Sequence, residues 1–294
     1  MQRIAILLFL TFFVACKGTH TDEEMTDSVK LASLDAALER RPKDASLLGA
    51  RAQVLLDLGR IKEASYDIAR ALQEEPDNVD FLLLKANICF AGGNVSDSYG
   101  ALERAQQLSP DNTEVQLKMG EIMFYSRDYD RALQCLTKVT TKEPNNRTAL
   151  VMKGFVYKEQ GDTAKAVQIL RLVTDKFPDY ALAYEELGVL YASVLNPLAV
   201  EYLTTALQLE PSNTNAIYAL ALYHQDIGQV DEAEALYRRI LDINPASADA
   251  LNNLGYLQHA YHHNDALAAE YYNRALAVDP NHQQAIQNIN DIKQ

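Results

Sequence analysis

Apolar residues recur along the chain at intervals of three and four, in short blocks separated by polar turns. Within residues 43–75, Leu48, Ala52 and Leu55 follow this spacing, the glycine at Gly59 interrupts it, and the same spacing then resumes. Intervals of three and four place side chains on one face of an α-helix, whereas a strand would alternate every second residue. The block therefore predicts a helix, a tight turn and a second helix.

Eight prolines divide most of the chain at steps of 33 to 35 residues: Pro42, Pro76, Pro110, Pro144, Pro178, Pro211, Pro245 and Pro280. Proline lacks an N–H group and cannot continue a helix. Polar residues that can accept hydrogen bonds from the start of the next helix follow it, for example Asn78, Asn112, Asn146 and Asn213. A fixed period of this length predicts a repeat protein in which each period holds two helices.

Two of the periods show the fullest pattern of apolar, small and proline positions. The fifth contains Tyr184, Leu187-Gly188, Tyr191, Ala199, Leu203, Ala206 and Pro211, and the last contains Leu251, Leu254-Gly255, Ala268, Tyr272, Ala275 and Pro280. This pattern resembles the tetratricopeptide repeat (TPR) family. The resemblance implies an all-α fold: a right-handed α-solenoid of about seven TPR helix-turn-helix repeats over residues 45–280. We expect capping helices at residues 26–42 and 281–294.

Single residues mark the turns and the helix crossings of this pattern. Gly59, Gly93, Gly161 and Gly228 stand at the turn inside a repeat, where a helix end often needs positive φ. Arg127 replaces glycine at one such turn, and the fifth repeat has a shortened turn with Asn196-Pro197. Small residues stand where the two helices of a repeat should cross closely: Gly120, Gly154, Gly188 and Gly255, alternating with Ala52, Ala86 and Ala221.

The N-terminal segment has a different composition. A single positive charge precedes an apolar run of eleven residues that ends before Cys16. The run is shorter than the roughly 20 residues that span a bilayer and fits the apolar region of a secretory signal. Residues 1–15 resemble a bacterial lipoprotein signal peptide, which implies lipidation of Cys16 and a flexible acylated tether over residues 16–25. An ordinary signal peptide with an incidental cysteine is the alternative.

The residue after Cys16 bears on the location. In the lipoprotein sorting pattern of well-studied Gram-negative bacteria, an acidic residue there retains the protein at the inner membrane. Lys17 is not acidic, so the resemblance favours a lipid anchor in the outer membrane that faces the periplasm. The acidic run Asp22-Glu23-Glu24 also resembles a displaced surface-export tether, which keeps surface exposure open.

The formal net charge of −13 limits the partners. Nucleic acid requires a basic footprint, so this class of partner is excluded. The same acidity disfavours adhesion to anionic lipid, and membrane contact should therefore come through the anchor alone.

No motif in the sequence indicates catalysis or a cofactor. A glycine-rich phosphate loop and a nucleophile elbow are both missing. The best metal candidate is His259, His262 and His263 with His224 one repeat earlier, but residues 262–264 also fit a lengthened turn. We therefore predict no metal site and no enzyme. Cys89 and Cys135 could form a disulfide or remain free as small buried apolar residues.

The TPR resemblance also implies a concave groove, lined by positions 2, 5, 9, 12 and 13 of each first helix. In this sequence those positions give the candidate partner-binding residues Leu83, Asn87, Phe90, Leu117, Glu121, Phe124, Tyr125, Val151, Phe155, Lys158, Tyr218, Leu222 and Tyr256, with Asn252 and His259 beside them. An aromatic groove suits an apolar or amphipathic peptide. The alternative is that these residues only pack against neighbouring helices.

These observations predict a non-catalytic, lipid-anchored TPR scaffold that binds a protein or peptide partner in the bacterial cell envelope, in assembly, secretion or cell-wall machinery. The chaperone-tail clamp known in the family is doubtful, because the fifth positions of the first four repeats hold Gly49, Leu83, Leu117 and Val151 and no lysine. The competing hypothesis is a metal- or ligand-binding envelope protein, or an enzyme, that uses the histidine-rich C-terminal end.

Overall fold

The computed structural model describes residues 20–292, with side chains from residue 27 onward. The predicted signal peptide, the lipidation site Cys16 and the first part of the tether lie outside the described residues. Within residues 20–292 the chain forms 16 α-helices and no strand, which confirms the predicted all-α class.

The helices belong to two compact units, which divide between Lys142 and Glu143. The first unit contains α1 (His20–Arg40), α2 (Ala45–Asp57), α3 (Ile61–Glu74), α4 (Val79–Ala91), α5 (Val95–Leu108), α6 (Thr113–Tyr125) and α7 (Tyr129–Lys142). The second contains α8 (Arg147–Glu159), α9 (Thr163–Lys176), α10 (Ala181–Ala192), α11 (Leu198–Leu209), α12 (Thr214–Asp226), α13 (Val230–Ile243), α14 (Ala248–Ala260), α15 (Asp265–Val278) and α16 (Gln283–Ile292).

Helices pack mainly on their neighbours in the chain. The even-numbered helices α2 to α14 are the first helices of seven repeats, and each packs on the second helix that follows it. First helices of successive repeats also contact one another, as α2 does with α4 and α10 with α12. The core therefore runs along each unit, with large side chains such as Leu136 and Leu203 fully buried between helix pairs.

The N-terminal helix differs from the prediction. It begins at His20 rather than at residue 26, so the prediction of a flexible tether is wrong for residues 20–25. The physical reason is local, because the sequence holds no glycine or proline between Gly18 and Pro42 that would stop a helix. The C-terminal helix α16 lies inside the predicted cap and buries Ala285 and Ile289.

The turns follow the sequence closely. The four glycines predicted at the turns inside repeats all have positive φ, between 71° and 79°. The other three repeats place Arg127, Leu195 and His263 in the same left-handed region, at φ of 60°, 51° and 51°. A side chain with a Cβ is strained there, so these three turns are held by their surroundings rather than by local preference.

The predicted helix crossings are as close as the small residues suggested. A Cβ added at Gly188 would lie 2.4 Å from Leu203 Cγ, and one added at Gly255 would lie 2.6 Å from Tyr272 Cε1. No real side chain could occupy these positions without moving its neighbour. Glycine therefore permits a large residue of the second helix to fill the crossing.

The polar residues after the prolines cap the first helices as predicted. The side chains of Asn78 and Asn112 each accept two backbone N–H hydrogen bonds at the start of α4 and α6. Asn146 and Asn213 each accept one, at the start of α8 and α12.

In the described part of the chain, no helix combines the length and the apolar character needed to cross a bilayer.

Candidate functional site

The candidate site is the inner face of each unit, which we define as the face along which first helices of successive repeats contact each other. Three hydrogen bonds mark this face in the second unit, two of them between successive first-helix segments and one between α14 and the capping helix α16. Asn213 Nδ2 donates to Glu185 Oε2 at 2.8 Å. Asn253 Nδ2 donates to the Tyr218 hydroxyl at 3.0 Å, and Asn288 Nδ2 donates to Asn252 Oδ1 at 3.0 Å.

Two of the predicted groove residues are not available to a partner. Leu83 is 4% exposed and Val151 is 1% exposed, so both belong to the core and their assignment to the groove is wrong. Apolar residues at this position turn toward the neighbouring helices because burial stabilises them more than a solvated face would. Asn252 is also buried, within the amide network described below.

The remaining predicted groove residues keep part of their surface accessible. Tyr125 and Tyr256 are exposed, at 52% and 38%. The others are half-buried: Asn87, Phe90, Leu117, Glu121, Phe124, Phe155, Lys158, Tyr218, Leu222 and His259. Their contact with a partner stays a prediction.

In the first unit, aromatic side chains of neighbouring repeats meet on the inner face. Phe90 on α4 and Tyr125 on α6 pack edge to face, with ring centroids 5.4 Å apart and planes at 83°. Beside them, the Lys118 ammonium lies 2.9 Å from a Glu121 carboxylate oxygen. Aromatic rings in this arrangement attract each other and hold a fixed shape, so they form a preformed apolar surface with a polar border.

The second unit contains two buried carboxylates that the groove prediction missed. Glu185 and Glu186 on α10 are only 4% and 6% exposed. The Lys158 ammonium lies 2.5 Å from Glu186 and ties α8 to α10. The signal was present in the sequence, because Glu185 is the fifth residue of α10 and the fifth position is one of those predicted to line the groove.

Burial raises the pKa of Glu185 to about 7. Removal from water penalises the charged form and is the largest effect, the hydrogen bond from Asn213 opposes it, and the nearby charge of Glu186 adds to it. Glu185 therefore changes its charge near neutral pH. By contrast, a carboxyl in water titrates near 4.3.

A network of amides closes the C-terminal end of the second unit. Asn252 Nδ2 donates to Asn253 Oδ1 at 3.2 Å. The network continues from Asn253 to the Tyr218 hydroxyl on α12 and from Asn252 to Asn288 on α16. Buried polar groups are destabilising unless they are paired. The network satisfies them and joins α12, α14 and α16.

The histidines of the competing hypothesis have separate partners. His259 Nδ1 lies 2.6 Å from Asp265, His262 Nε2 lies 3.0 Å from Glu234, and His224 Nδ1 lies 2.5 Å from Gln229. Among residues 27–292, no three His, Cys, Asp or Glu side chains are grouped in a way that could hold a metal ion. The metal hypothesis therefore gains no support from the described side chains.

The two remaining cysteines are free thiols. Cys89 is half-buried, Cys135 is buried, and neither forms a disulfide. Burial raises the pKa of both thiols, which disfavours the reactive thiolate.

The arrangement of paired helices with a shared inner face defines the molecule as a helical-repeat protein, a class whose members bind other proteins on such faces. Two family models match the sequence: the TPR domain of cytochrome c-type biogenesis protein H over residues 68–184, and a tetratricopeptide repeat over residues 197–255. The chain belongs to the tetratricopeptide repeat family and is a protein-interaction scaffold.

Solved structures share this fold. A MamA protein is 24% identical, with 58% of this chain and 93% of that chain covered and a TM-score of 0.52. A tetratricopeptide repeat protein from Parabacteroides merdae is 14% identical, with coverage of 85% and 99% and a TM-score of 0.64. Yeast Tom70 is 17% identical, with coverage of 92% and 58% and a TM-score of 0.61. No curated protein matches the sequence significantly.

Proposed function

We propose that this protein is a non-catalytic, lipid-anchored scaffold of a bacterial cell envelope that holds a segment of a partner protein on the inner faces of its repeats. The observation that carries the proposal is the presence of exposed aromatic side chains on these faces. Tyr125 packs edge to face on Phe90, and Tyr256 packs edge to face on Tyr261 with centroids 6.2 Å apart.

Exposed aromatic rings suit such a role for a physical reason. A tyrosine offers a large apolar surface and a polar tip, and it loses little conformational freedom when it is already packed against a neighbour. Side chains of this type contribute most of the binding energy in protein interfaces. Tyr125 and Tyr256 are therefore the residues that should anchor a partner.

The N-terminal sequence supports the anchoring part of the proposal. The apolar run before Cys16 resembles a lipoprotein signal, and two or more acyl chains would hold the protein stably at a bilayer. With Lys17 after the cysteine, the proposed location is the outer membrane, facing the periplasm or the cell surface. There the scaffold would serve assembly, secretion or cell-wall machinery.

Site-specific photo-crosslinking tests the binding part. A benzophenone amino acid placed at Tyr125 or at Tyr256 should crosslink to a discrete protein in intact cells. The control position is Tyr66, which is 65% exposed on the second helix α3. Crosslinks of equal yield and identity at all three positions would contradict binding on the inner faces.

Replacement of Cys16 tests the anchor. Cys16→Ser should move the protein from the membrane fraction to the soluble fraction and abolish incorporation of radiolabelled palmitate. Full palmitate labelling of the variant would contradict lipidation at this residue. The crosslinks from Tyr125 and Tyr256 are a separate readout, so the anchor and the binding role can fail independently.

A further inference from the structure

The described part of the second unit carries a large uncompensated negative charge. Residues 177–237 contain nine Asp and Glu residues and no Lys or Arg at all. Over residues 177–292 the chain has 15 acidic and three basic side chains, a net charge of −12. Residues 27–176 have 22 acidic and 21 basic side chains, a net charge of −1. The acidity of the protein is therefore concentrated around repeats 5 to 7.

Apolar side chains occupy the middle of the inner face in this region. Leu222 on α12 is half-buried and Tyr256 on α14 is 38% exposed, and both are the ninth residue of their helix. One second helix, α13, lies between α12 and α14 in the chain, so these two first helices run in the same direction. The two ninth residues therefore lie at the same height along their helix axes. We refer to these two side chains, which hold the same position on successive first helices, as the apolar strip.

Carboxylates border this strip at both ends. Asp226 ends α12 and is exposed. Asp249 is the second residue of α14, its side chain is 62% exposed, and one of its carboxylate oxygens lies 3.0 Å from His282 Nε2. Positions 2 and 13 are about 17 Å apart along a helix axis, and these two residues lie on different helices, so at least about five residues of extended chain are needed to reach from one to the other. A ligand that crosses the strip therefore meets a negative charge on each side.

We propose that the inner face of repeats 5 to 7 takes a peptide segment with an apolar centre and a basic side chain on each side of it. Leu222 and Tyr256 contact the centre, and Asp226 and Asp249 receive the basic side chains. This inference rests on the proposed function and adds the chemistry of the partner. The negative field of the region also attracts such a segment over a distance, which raises the association rate at low salt.

The groups around the strip support this choice of occupant. Across the first helices α10, α12 and α14 no lysine or arginine is present to repel a basic segment. Glu185 on α10 titrates near neutral pH, so a bound cation would favour its ionised form. A basic side chain can also stack on the exposed ring of Tyr256.

The test is selection from a random library of 12-residue peptides displayed on phage, with the full-length protein as the target. The expected clones carry two Lys or Arg residues at least about five positions apart, with apolar residues between them. The affinity of a selected peptide, measured by fluorescence anisotropy, should fall at least tenfold on Asp226→Asn with Asp249→Asn and at least tenfold on Leu222→Ala with Tyr256→Ala. Asp226→Asn with Asp249→Asn should also weaken the dependence of the affinity on salt concentration.

A matched control separates local charge from net charge. Asp242→Asn with Glu270→Gln removes the same charge from exposed positions on the second helices α13 and α15, and it should leave the affinity within about twofold. Circular dichroism of every variant establishes that it is folded.

Three outcomes would overturn the proposal: enriched peptides that are neutral or acidic, equal binding to the inner-face variants and the control, or no enrichment. Enrichment of neutral peptides that depends on Leu222 and Tyr256 would remove only the charge preference and leave the proposed function in place. Failure of the crosslinks at Tyr125 and Tyr256 would remove the proposed function itself.

Discussion

Two buried carboxylates, Asp67 in the first unit and Glu185 in the second, are stabilised in different ways. In the first unit Asp67 is 1% exposed and accepts two hydrogen bonds from Arg51, at 2.6 and 2.8 Å. In the second unit Glu185 is 4% exposed and its partner is the neutral amide of Asn213. A paired guanidinium neutralises the buried charge, whereas an amide only solvates part of it.

The two sites also differ in their electrostatics. Asp67 and a second carboxylate, Asp35 on α1, raise the pKa of Arg51 above its usual range, so the guanidinium stays charged and joins α1, α2 and α3. Glu185 has no cation of its own and titrates near neutral pH. The first arrangement fixes a capping helix, and the second makes the inner face of repeat 5 sensitive to its electrostatic surroundings.

The largest expected effect comes from removing the cation of the first unit. Arg51→Met leaves Asp67 buried without a charged partner and should lower the free energy of unfolding by about 3–5 kcal/mol. Urea denaturation followed by circular dichroism measures it. Arg60→Met is the control, since its pair with Glu63 is exposed and its loss should change little. An equal effect of both substitutions would contradict the difference between buried and surface pairs.

The next effect concerns Glu185 and depends on pH. The pKa of Glu185 in the folded protein lies above the value of a free carboxyl. Its contribution to the free energy of unfolding is therefore complete below about pH 4.5 and is lost as the pH rises through 7. A shift of this size corresponds to about 3 kcal/mol. Glu185→Gln keeps an acceptor for Asn213 and should therefore stabilise the protein by up to about 3 kcal/mol at pH 8.

Urea denaturation at pH 5 and pH 8 measures this dependence, and the gain from Glu185→Gln should shrink strongly at pH 5. Glu232→Gln, at an exposed position on α13, is the control and should have little effect at either pH. A gain from Glu185→Gln that is the same at both pH values would show that the carboxyl does not titrate as described.

A smaller effect tests the helix crossings of both units. Gly188→Ala should destabilise the second unit by about 1–3 kcal/mol, because the new methyl group meets both the side chain and the backbone of Leu203. Gly120→Ala should destabilise the first unit less, since the new Cβ would lie 2.9 Å from Cγ of Leu136, whose flexible side chain can move. Gly100→Ala, in a helix with open space around it, should stabilise by about 1 kcal/mol. Thermal unfolding gives the order, and a reversed order would refute the crossing geometry.

The smallest effect lies in the turns. Leu195→Gly should stabilise the protein by about 1 kcal/mol, because glycine adopts positive φ without strain and the leucine is 51% exposed. Gly161→Ala at the equivalent turn of the preceding repeat should have the opposite sign. Differential scanning calorimetry compares the two, and equal signs would mean that backbone strain does not decide these turns.

Much of the fold was predictable from the sequence because local rules determine it. Each proline ends a helix, each capping asparagine begins one and each turn glycine adopts positive φ, and all three effects act within a few residues. The structure confirms the helix boundaries and turns that these residues predicted. Small residues such as Gly188 also revealed the helix crossings, since only close packing requires them.

The prediction of the site was less complete because it depended on packing between repeats. The counting of groove positions could not distinguish Leu83, which is buried, from Tyr125, which is exposed. It omitted Glu185, although this residue holds the same fifth position of its first helix as Leu83 does. The start of α1 at His20 was missed because a polar sequence without proline or glycine can be a tether or a helix.

The central claim is that the inner faces hold a partner protein, and the affinity of the partner identified by crosslinking tests it most directly. Isothermal titration calorimetry should show a loss of about 2 kcal/mol, roughly 30-fold, for Tyr125→Ala or Tyr256→Ala, as expected for an aromatic anchor. Tyr66→Ala should bind like the unmodified protein. Unchanged affinity of both inner-face variants, or an equal loss with Tyr66→Ala, would contradict the account.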